Sequence, residues 1–371
     1  MQKVLFLIHD LGHGGAEKVL VNLVNNMDPE KFDITVMALF GGGVNEQFLK
    51  PHVRYRTIFP KEIPGNSHMM KLLTPKQWHK LCVKEHYDIE VSYLEGPSAR
   101  VISGCQDEST KLVSWIHVEQ HTMKKLAFSF RGEREARKCY DRFDQTVCVS
   151  EYVKNDFCSI LDCRQPCRVL YNTVESDKIV RLSGDRAPEL RDDGKIRLVA
   201  VGTLKDSKGY DRMLRIVKKL CDNGYPIHLY ILGEGPKKND LEQYVQVNKL
   251  SDAVTFLGYN TNPYKYVAKC DLFLCASHSE GFSTAATEAL IVGTPVCTVE
   301  VSGMKEMLGE NNEWGIVTEN DEEALYRGIK LLLDDPKRLA HYKEMAAERG
   351  KMFSTEKTVN AVEQVLLELS K

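Results

Sequence analysis

The chain has 371 residues, of which 43% are hydrophobic and 27% charged, and its formal net charge at pH 7 is −2. This composition excludes a wholly disordered chain, a collagen-like repeat and a coiled coil, and the balanced charge predicts no nucleic-acid partner. Because a single core rarely grows beyond about 250–300 residues, we expect two domains.

Short β-branched and apolar runs recur along the chain, and a helical pattern follows most of them. In the first half, strands are predicted at residues 4–9, 33–40, 53–59, 89–94, 111–117 and 145–149. In the second half, they are predicted at residues 196–201, 227–232, 254–257, 272–276, 295–301 and 315–318. The clearest helical patterns cover residues 18–26, 212–222, 238–248, 322–334 and 355–369. Apolar strands that alternate with helices are typical of parallel sheets covered on both faces.

This alternation predicts an α/β fold with two Rossmann-like, doubly wound domains, because crossover connections between parallel strands are right-handed. An eight-unit α/β barrel is the alternative, but the strands are too many and residues 176–195 interrupt the pattern. That segment is rich in Asp, Arg and Gly and is predicted to be the linker. The expected domains are therefore residues 1–175 and 196–354, followed by a helix at 355–371 that packs on the first domain.

The cellular compartment is predicted from three features of the sequence. No apolar run approaches the roughly 18–20 residues that span a bilayer. Residues 1–10 are typical of a core strand and lack the features of a secretory signal. Eleven cysteines, an odd number and mostly within apolar segments, are typical of reduced thiols. We therefore expect a cytoplasmic protein.

Ligands of open α/β sheets bind at the carboxyl ends of the strands, so the loops there are the first candidates for a site. The first predicted strand is followed by the sequence GHGGAE, in which Gly14 and Gly15 allow a ligand to approach the backbone at a helix start. The spacing differs from the three-glycine dinucleotide pattern, which disfavours nicotinamide binding. A tight turn without a ligand is the alternative.

The most informative stretch follows the predicted strand LFLCAS and reads HSEGFSTAATEAL. Glu280 is predicted to lie in the strand-to-helix loop, and Glu288 inside the helix that begins near Ser283. Carboxylates accept hydrogen bonds from sugar and ribose hydroxyls, and backbone N–H groups at a helix start face anions. A capped helix with one solvent-facing glutamate is the alternative.

The Glu-x7-Glu spacing in SEGFSTAATEAL resembles the signature of retaining glycosyltransferases of family 4, which have the GT-B fold of two Rossmann-like domains facing a central cleft. Further motifs follow in the order that the family shows: GGAE, WIHVEQ, VSEYVKNDF, YNTVE, VGTLKDSKG, ILGEGP and FLGYNTNPY. The resemblance spans nearly the whole chain and is to bacterial enzymes of capsule, exopolysaccharide and lipopolysaccharide synthesis. It implies transfer of a hexose, with retention, from a nucleotide sugar to a glycan acceptor.

The resemblance also implies roles for single residues. Glu288 would hold the ribose hydroxyls and Glu280 the hydroxyls of the donor sugar. Lys208 would neutralise the leaving diphosphate, and His117 would lie near the 6-position of the transferred sugar. Glu280, Lys208 and His117 are thus the candidate catalytic residues. A solvated lysine and a core histidine are the alternatives for Lys208 and His117.

Further donor contacts follow from the same resemblance. The diphosphate would meet the backbone of four residues, Gly281, Phe282, Ser283 and Thr284, together with Gly14 and Gly15 from the other domain. Tyr259 and Tyr264 lie where the family holds the base, and packing of the loop alone is the equal alternative. Thr203 stands where the family usually has an arginine that shares the phosphate charge, and Lys205 is a possible substitute.

Two rival functions stay open at this point. The departure at Thr203 allows a non-catalytic partner subunit that binds the acceptor or the nucleotide sugar. A nucleotide-sugar epimerase on the same fold is the second rival, and it would turn over the donor without an acceptor.

The expected ligands are a nucleotide-diphosphate sugar, with a UDP-sugar as the first choice, and a glycan acceptor that is lipid-linked. No cofactor and no metal are expected, because Cys158, Cys163 and Cys167 lack a second cluster or a paired histidine motif.

Membrane contact is predicted for one basic stretch. The residues from His68 to Lys84 combine four lysines with apolar side chains and have no acidic residue, a pattern typical of peripheral docking on an anionic membrane. A core-facing helix with a solvated basic face is the alternative. For the second basic stretch, Lys124 to Arg142, we favour that alternative.

Overall fold

The computed structural model describes residues 1–12, 14–61, 70–161 and 166–370. His13, His68, Met69 and Cys163, which contribute to the motifs above, lie outside these residues. The chain divides into two compact units. The first unit comprises Met1–Val174 and the segment that begins at Thr355, and the second unit comprises Glu175–Ser354.

The first unit contains a parallel sheet in the strand order β3-β2-β1-β4-β5-β6-β7. These strands are β1 Gln2–Ile8, β2 Phe32–Phe40, β3 Arg54–Phe59, β4 Ile89–Ser92, β5 Lys111–Ile116, β6 Gln145–Cys148 and β7 Cys167–Val169. The helices between them are α1 Gly15–Asn26, α2 Pro75–Cys82, α3 Pro97–Ile102, α4 Met123–Leu126, α5 Glu133–Tyr140 and α6 Glu151–Leu161. Val4 of β1 lies between Ile34 of β2 and Ile89 of β4 in the parallel register, so the interior of the sheet is apolar.

The second unit repeats this arrangement with a parallel sheet in the order β10-β9-β8-β11-β12-β13. Its strands are β8 Ile196–Val201, β9 Ile227–Leu232, β10 Val254–Gly258, β11 Leu272–Cys275, β12 Val296–Val299 and β13 Ile316–Thr318. Its helices are α7 Ser176–Ser183, α8 Tyr210–Asp222, α9 Lys238–Val247, α10 Tyr264–Val267, α11 Thr284–Ile291, α12 Met304–Leu308, α13 Glu322–Leu333 and α14 Pro336–Gly350. Alternating strands and helices confirm the predicted pair of doubly wound domains.

The last helix, α15 Thr355–Leu369, belongs to the first unit. Its apolar residues Val359, Val362, Val365 and Leu366 are buried. Glu363 is also buried, and it accepts hydrogen bonds from the Asp28 backbone N–H (2.7 Å) and from Lys31 Nζ (3.1 Å). These contacts give the C-terminal segment a fixed place in the first unit.

Three elements differ from the sequence-based expectation. Helix α1 begins at Gly15, so Gly15 lies inside the helix and Gly14 is its N-cap. Strand β7 was not predicted, because it has only three residues and none of them is fully buried. Within the predicted linker, Ser176–Ser183 forms α7 of the second unit, with Ile179 buried and the Leu182 carbonyl bound by Asn262. A helix with so short an apolar pattern leaves no clear periodicity in the sequence.

The basic stretch also differs from its expectation. The prediction of a membrane-docking surface is wrong for two apolar residues of this stretch, Met70 and Trp78, because both are buried and Trp78 Nε1 donates to the Met70 carbonyl at 2.7 Å. Leu72, by contrast, is 74% exposed. In the second stretch, α5 buries Ala136, Cys139 and Tyr140. Within the described residues, no helix combines the length and the apolar character that crossing a membrane requires.

Candidate active site

The strand order of the second unit places a ligand crevice at one position. From β8, the chain runs outward to β9 and β10 and then returns to β11 on the other side of β8. Ligands of doubly wound sheets bind at such a reversal, outside the carboxyl ends of the two central strands. The loops after β8 and β11 meet there, since the His278 N–H donates to the Ser207 carbonyl at 2.8 Å.

These two loops bring together the predicted catalytic pair of this unit. Lys208 Nζ lies 2.5 Å from Glu280 Oε1, and the Ser277 hydroxyl donates to the same oxygen at 2.6 Å. The Lys208 side chain is 26% exposed and that of Glu280 11% exposed. An ion pair this close to solvent can exchange one partner for a ligand. In a fully buried pair, separation would leave a buried charge without a partner, which is costly.

Backbone geometry fixes the position of Lys208. The next residue, Gly209, has φ +64°, and a Cβ there would lie 1.9 Å from the Ala276 carbonyl oxygen. Only glycine tolerates both the left-handed conformation and this close approach. The loop after β8 therefore packs in direct contact with the loop after β11.

Arg212 is a positioning residue that the sequence analysis did not identify. It is buried, and it donates from Nε to the Ala276 carbonyl (2.7 Å) and from Nη2 to the Ser277 carbonyl (2.8 Å). Burial lowers the pKa of its guanidinium. Its third contact, to Asn320 at 2.8 Å, holds the guanidinium in place, so Arg212 orients the backbone that leads to Glu280.

The loop after β11 leads into helix α11, so the start of α11 lies at the same crevice. Ser283 is the N-cap, as expected, and its side chain accepts from the Ala286 N–H. Gly281, Phe282 and Ser283 are buried, while Thr284 is half-buried. The first N–H groups of a helix have no carbonyl partner within the helix, so they offer donors and a positive dipole end to an anion.

Glu288 lies in α11 with its side chain buried, at 7% exposure. The Tyr264 hydroxyl donates to Glu288 Oε1 at 3.3 Å, and Tyr264 is buried as well. Of the two tyrosines named from the sequence, Tyr264 thus packs against the glutamate, whereas Tyr259 is 67% exposed. Thr203 and Lys205 are exposed on the loop after β8.

The first unit has its own reversal of strand order, between β1 and β4. The loop after β1 leads to Gly14 and Gly15, which are exposed at the start of α1. In the same loop, the Gly12 N–H donates to Asp10 Oδ1 at 2.6 Å. The glycine motif therefore lies where a doubly wound sheet binds ligands.

His117 follows β5 and is buried, with 7% of its surface exposed. Its ring packs against Tyr93, with 4.9 Å between the centroids. Burial lowers its pKa to about 3, so the imidazole is neutral at physiological pH. Among the described residues, its Nε2 atom is buried without a hydrogen-bond partner. Such an orphaned polar atom favours a ligand-facing role over that of a satisfied core histidine.

Glu95 is a second residue that the sequence analysis missed. Its carboxylate accepts from the His117 backbone N–H at 3.1 Å and from Gln120 Nε2 at 3.2 Å. Burial raises the pKa of this carboxyl. In the sequence, Glu95 was recognisable only as an acidic residue that follows a predicted strand and directly precedes Gly96. In the structure, Gly96 has φ +85°. The sequence feature becomes specific only once β4 is known to flank the reversal.

Metal ligands are not gathered at the Lys208–Glu280 site. Among the described residues of the second unit, no three His, Cys, Asp or Glu side chains converge closely enough to hold an ion. The two groups that do converge both lie in the first unit: His79 with Glu90 and Cys105, and Glu119 with His121 and Asp156.

Family models match both units of the chain. The model described as "Glycosyltransferase Family 4" matches residues 13–178, and the model described as "Glycosyl transferases group 1" matches residues 184–349. Both halves of the fold are thus those of a sugar-transferring enzyme. The chain belongs to the glycosyltransferases of family 4 and has their GT-B fold.

Curated relatives agree with this membership. The chain is 28% identical to the Campylobacter jejuni N-acetylgalactosamine-N,N'-diacetylbacillosaminyl-diphospho-undecaprenol 4-alpha-N-acetylgalactosaminyltransferase, over 99% of this chain and 100% of that protein. It is 29% identical to the Rhizobium meliloti lipopolysaccharide core biosynthesis glycosyltransferase LpsD, over 38% of this chain and 39% of that protein.

Solved structures share the fold at lower identity. Anabaena HepE in complex with UDP and glucose superposes with a TM-score of 0.78 at 18% identity, over 99% of both chains. Thermosynechococcus elongatus sucrose-phosphate synthase superposes with a TM-score of 0.79, also at 18% identity, over 100% of this chain and 99% of the other.

Proposed function

We propose that the protein is a retaining hexosyltransferase that uses a nucleotide-diphosphate sugar, with UDP as the expected nucleotide, and a lipid-linked glycan acceptor in the synthesis of a bacterial surface polysaccharide. The observation that carries this proposal is the Lys208–Glu280 pair at the strand reversal, next to the start of α11. The undecaprenol-linked acceptor in the name of the Campylobacter relative supports the choice of acceptor. The UDP and glucose bound to HepE support the choice of donor.

The positive charge of Lys208 and of the α11 start favours binding of a diphosphate. A diphosphate that reaches the start of α11 competes with Glu280 for the Lys208 ammonium, which is close to solvent. Negative charge on the leaving diphosphate grows as the glycosidic bond breaks, so Lys208 and the helix N–H groups stabilise the transition state more than the ground state.

In this proposal, Glu280 and Glu288 accept hydrogen bonds from hydroxyl groups of the donor. Release from Lys208 leaves Glu280 free to accept hydrogen bonds from the donor sugar, while Ser277 and the carbonyls bound by Arg212 hold its loop in place. Glu288, whose Oε1 already accepts from Tyr264, offers its carboxylate to the ribose hydroxyls. A charge-assisted hydrogen bond of this kind contributes about 1.5–3 kcal/mol.

His117 acts as a neutral ring in this scheme. With a pKa of about 3, it cannot serve as a general acid at neutral pH. Its orphaned Nε2 instead exchanges a hydrogen bond with a hydroxyl of the transferred sugar, and Glu95 positions the His117 backbone. The assignment to the sugar's 6-position comes from the resemblance to the family.

Metal-free catalysis is part of the proposal, with Lys208 and the α11 N–H groups supplying the positive charge at the diphosphate. The test is turnover after chelation, followed by addition of Mg²⁺ or Mn²⁺. Turnover that is lost to the chelator and restored by Mg²⁺ would contradict metal-free transfer.

Thermal shift against a panel of UDP-, GDP- and ADP-sugars identifies the donor, since a ligand that binds only the folded state raises the melting temperature. Mass spectrometry of a bacterial lipid extract incubated with that donor then detects the transferred hexose. Binding of a nucleotide sugar without transfer or slow hydrolysis favours the non-catalytic partner, for which the exposed Thr203 is the one supporting observation. Conversion of the donor into its epimer without an acceptor favours the epimerase.

Membrane docking is proposed for the exposed part of the basic stretch. Leu72 and Phe128, which are 74% and 66% exposed, lie beside Lys71, whose Nζ is 5.4 Å from the Phe128 ring centroid. Arg131 ties these segments together by donating to the Lys71 and Leu72 carbonyls. Co-sedimentation with anionic vesicles should fall when Lys71, Lys76, Lys80 and Lys84 are changed to Glu, and equal sedimentation of both proteins would contradict docking.

A further inference from the structure

Three side chains of different chemistry converge in the first unit, and none of them has a role in the proposed transfer reaction. His79 comes from α2, Glu90 from β4, and Cys105 from the segment that follows α3. Their ligand atoms all lie within 4.8 Å of one another, and His79 Nε2 is 2.8 Å from Glu90 Oε2. The sequence gives no hint of this group, because the three residues share no motif spacing.

Glu90 occupies an unusual place for a carboxylate. It is 2% exposed and lies in β4 at the centre of the sheet, in register with Leu5 of β1 and Leu112 of β5. A carboxylate is costly to bury unless it is paired or bound to a metal. Its only ion pair among the described residues is with His79, and Cys105, which is 2% exposed, adds a sulfur atom beside the pair.

The group opens into a cavity of about 290 Å³. His79, Glu90 and Cys105 all line this cavity, and His86 and Asp107 line it as well. Three protein ligands that line a cavity leave a fourth coordination position for water or for another lining side chain.

We propose that His79, Glu90 and Cys105 form a binding site for one divalent transition-metal ion of the zinc class. Imidazole nitrogen, thiolate sulfur and carboxylate oxygen are the donors that Zn²⁺ takes, at about 2.0–2.3 Å, so the ligand atoms of a tetrahedral site are roughly 3.3–3.5 Å apart. Here His79 Nε2 and Glu90 Oε2 are 2.8 Å apart and all three ligand atoms lie within 4.8 Å of one another, so small side-chain shifts would reach that spacing. Mg²⁺ and Ca²⁺ prefer oxygen ligands throughout, so the mixed donor set selects against them.

The other convergent group in this unit lacks these properties. Both carboxylate oxygens of Asp156 accept backbone hydrogen bonds, one from Gln120 at 2.6 Å and the other from His121 at 3.0 Å. Its histidine is exposed as well, with 64% of the side chain accessible. The carboxylate of Asp156 therefore holds the backbone of its loop, whereas Glu90 Oε2 contacts His79 Nε2.

The metal ion has a structural role in this proposal. Glu90 is near the amino end of β4, whereas Glu95 and His117 follow the carboxyl ends of β4 and β5. A bound ion would tie α2 to β4 and to the segment after α3, without contact to the transferred sugar. The inference does not depend on the proposed transfer reaction.

The test uses the full-length, reduced and metal-depleted protein with Co²⁺ as the spectroscopic probe, followed by Zn²⁺ competition. Wild type should bind one equivalent, with a tetrahedral cobalt spectrum and a thiolate-to-cobalt charge-transfer band that Zn²⁺ abolishes. Cys105→Ser should lose that band. The matched control is Cys82→Ser, since Cys82 is also a buried, free cysteine of this unit, and it should keep the band.

Two further variants keep the inference testable if Cys105→Ser does not fold. His79→Gln and Glu90→Gln should each weaken Zn²⁺ binding at least tenfold, and Zn²⁺ should raise the melting temperature of wild type but not of these variants. An absent charge-transfer band in wild type, or an equal band in Cys105→Ser, would show that the group is only an ion pair beside a thiol and would overturn the proposal.

Discussion

Lys208 and Glu280 are 72 positions apart in the sequence, yet their side chains form one ion pair. They meet because β8 and β11 are neighbours in the sheet and because Gly209 lets the two loops touch. The proposed role of Lys208 is based on this placement, since an ammonium beside a helix start can stabilise the negative charge that develops on a leaving diphosphate.

Lys208→Ala should lower kcat by about 10²–10³-fold, because a charge that acts in the transition state is lost. Steady-state kinetics with the donor found by thermal shift checks this expectation. Lys218→Ala, which removes a half-buried lysine of α8 that is paired with Asp222, is the control and should have wild-type kinetics. A normal kcat with only a raised KM would contradict the role assigned to Lys208.

Glu288→Ala should weaken donor binding by about 1.5–3 kcal/mol, since a charged acceptor of the ribose hydroxyls is removed. Isothermal titration with the nucleoside diphosphate measures the change in Kd directly. Tyr264→Phe, which removes only the hydroxyl bound to Glu288, should have a smaller effect. Glu348→Ala, at an exposed position of α14, is the control. Unchanged affinity in a folded Glu288→Ala protein would remove Glu288 from the site.

The pKa of His117 predicts a pH dependence of stability. Burial lowers the pKa of folded His117 from 6.5 to about 3. Between these values the unfolded chain binds the proton and the folded chain does not, so His117 reduces stability as the pH falls below about 6.5. The slope is at most about 1.4 kcal/mol per pH unit.

Denaturant unfolding between pH 7.5 and pH 4.5 tests this expectation. His117→Asn should lose less stability than wild type over this range. His52→Asn, a change at an exposed histidine of the same unit, should behave as wild type. Parallel pH profiles for wild type and His117→Asn would show that the ring is not a buried neutral imidazole.

At the scale of elements, the sequence predicted most strands and the ends of the main helices. Apolar runs such as LVAVG and LYILG coincide with β8 and β9, because strands buried on both faces need such residues. Short elements escaped prediction, as α7 and β7 show. Arg212 and Glu95 escaped for another reason: their partners are defined by strand order, which a sequence does not display.

Gly209→Ala should destabilise the second unit by more than about 3 kcal/mol, because the new Cβ meets the Ala276 carbonyl in addition to the left-handed strain. Gly224 is a matched control, since it has φ +80° but no atom within 4 Å of a Cβ. Gly224→Ala should therefore cost only about 1 kcal/mol. Denaturant unfolding compares the two variants. Equal costs would show that the two loops are not in contact as described.

At the scale of the whole molecule, the two family matches follow the division of the chain into units. The first matched range ends at residue 178 and the second begins at residue 184, so their junction is within ten residues of the boundary between the units at Glu175. Each unit has its own reversal of strand order, and each reversal carries motif residues that the sequence singled out. The ordered set of motifs predicted the family because its members are distributed over both units. A single motif describes only one loop and is therefore less specific.

The sequence did not predict the donor sugar or the acceptor beyond their class, because recognition of one sugar among many depends on the spatial arrangement of groups around the ligand. Tyr259 and Thr203 lie in the motifs FLGYNTNPY and VGTLKDSKG, and both are exposed in the second unit. The reaction type is more accessible to test than the acceptor, since hydrolysis of the donor by water reports on the same bond.

The anomeric configuration of the released sugar tests the central proposal of retaining transfer most directly. The wild-type enzyme is incubated with the donor that gives the largest thermal shift, and proton NMR follows the first sugar released, before mutarotation, or the sugar transferred to lipid. We predict the configuration that the sugar has in the donor, together with a much slower release by Lys208→Ala. Release of the opposite anomer would contradict retaining transfer at the Lys208–Glu280 site.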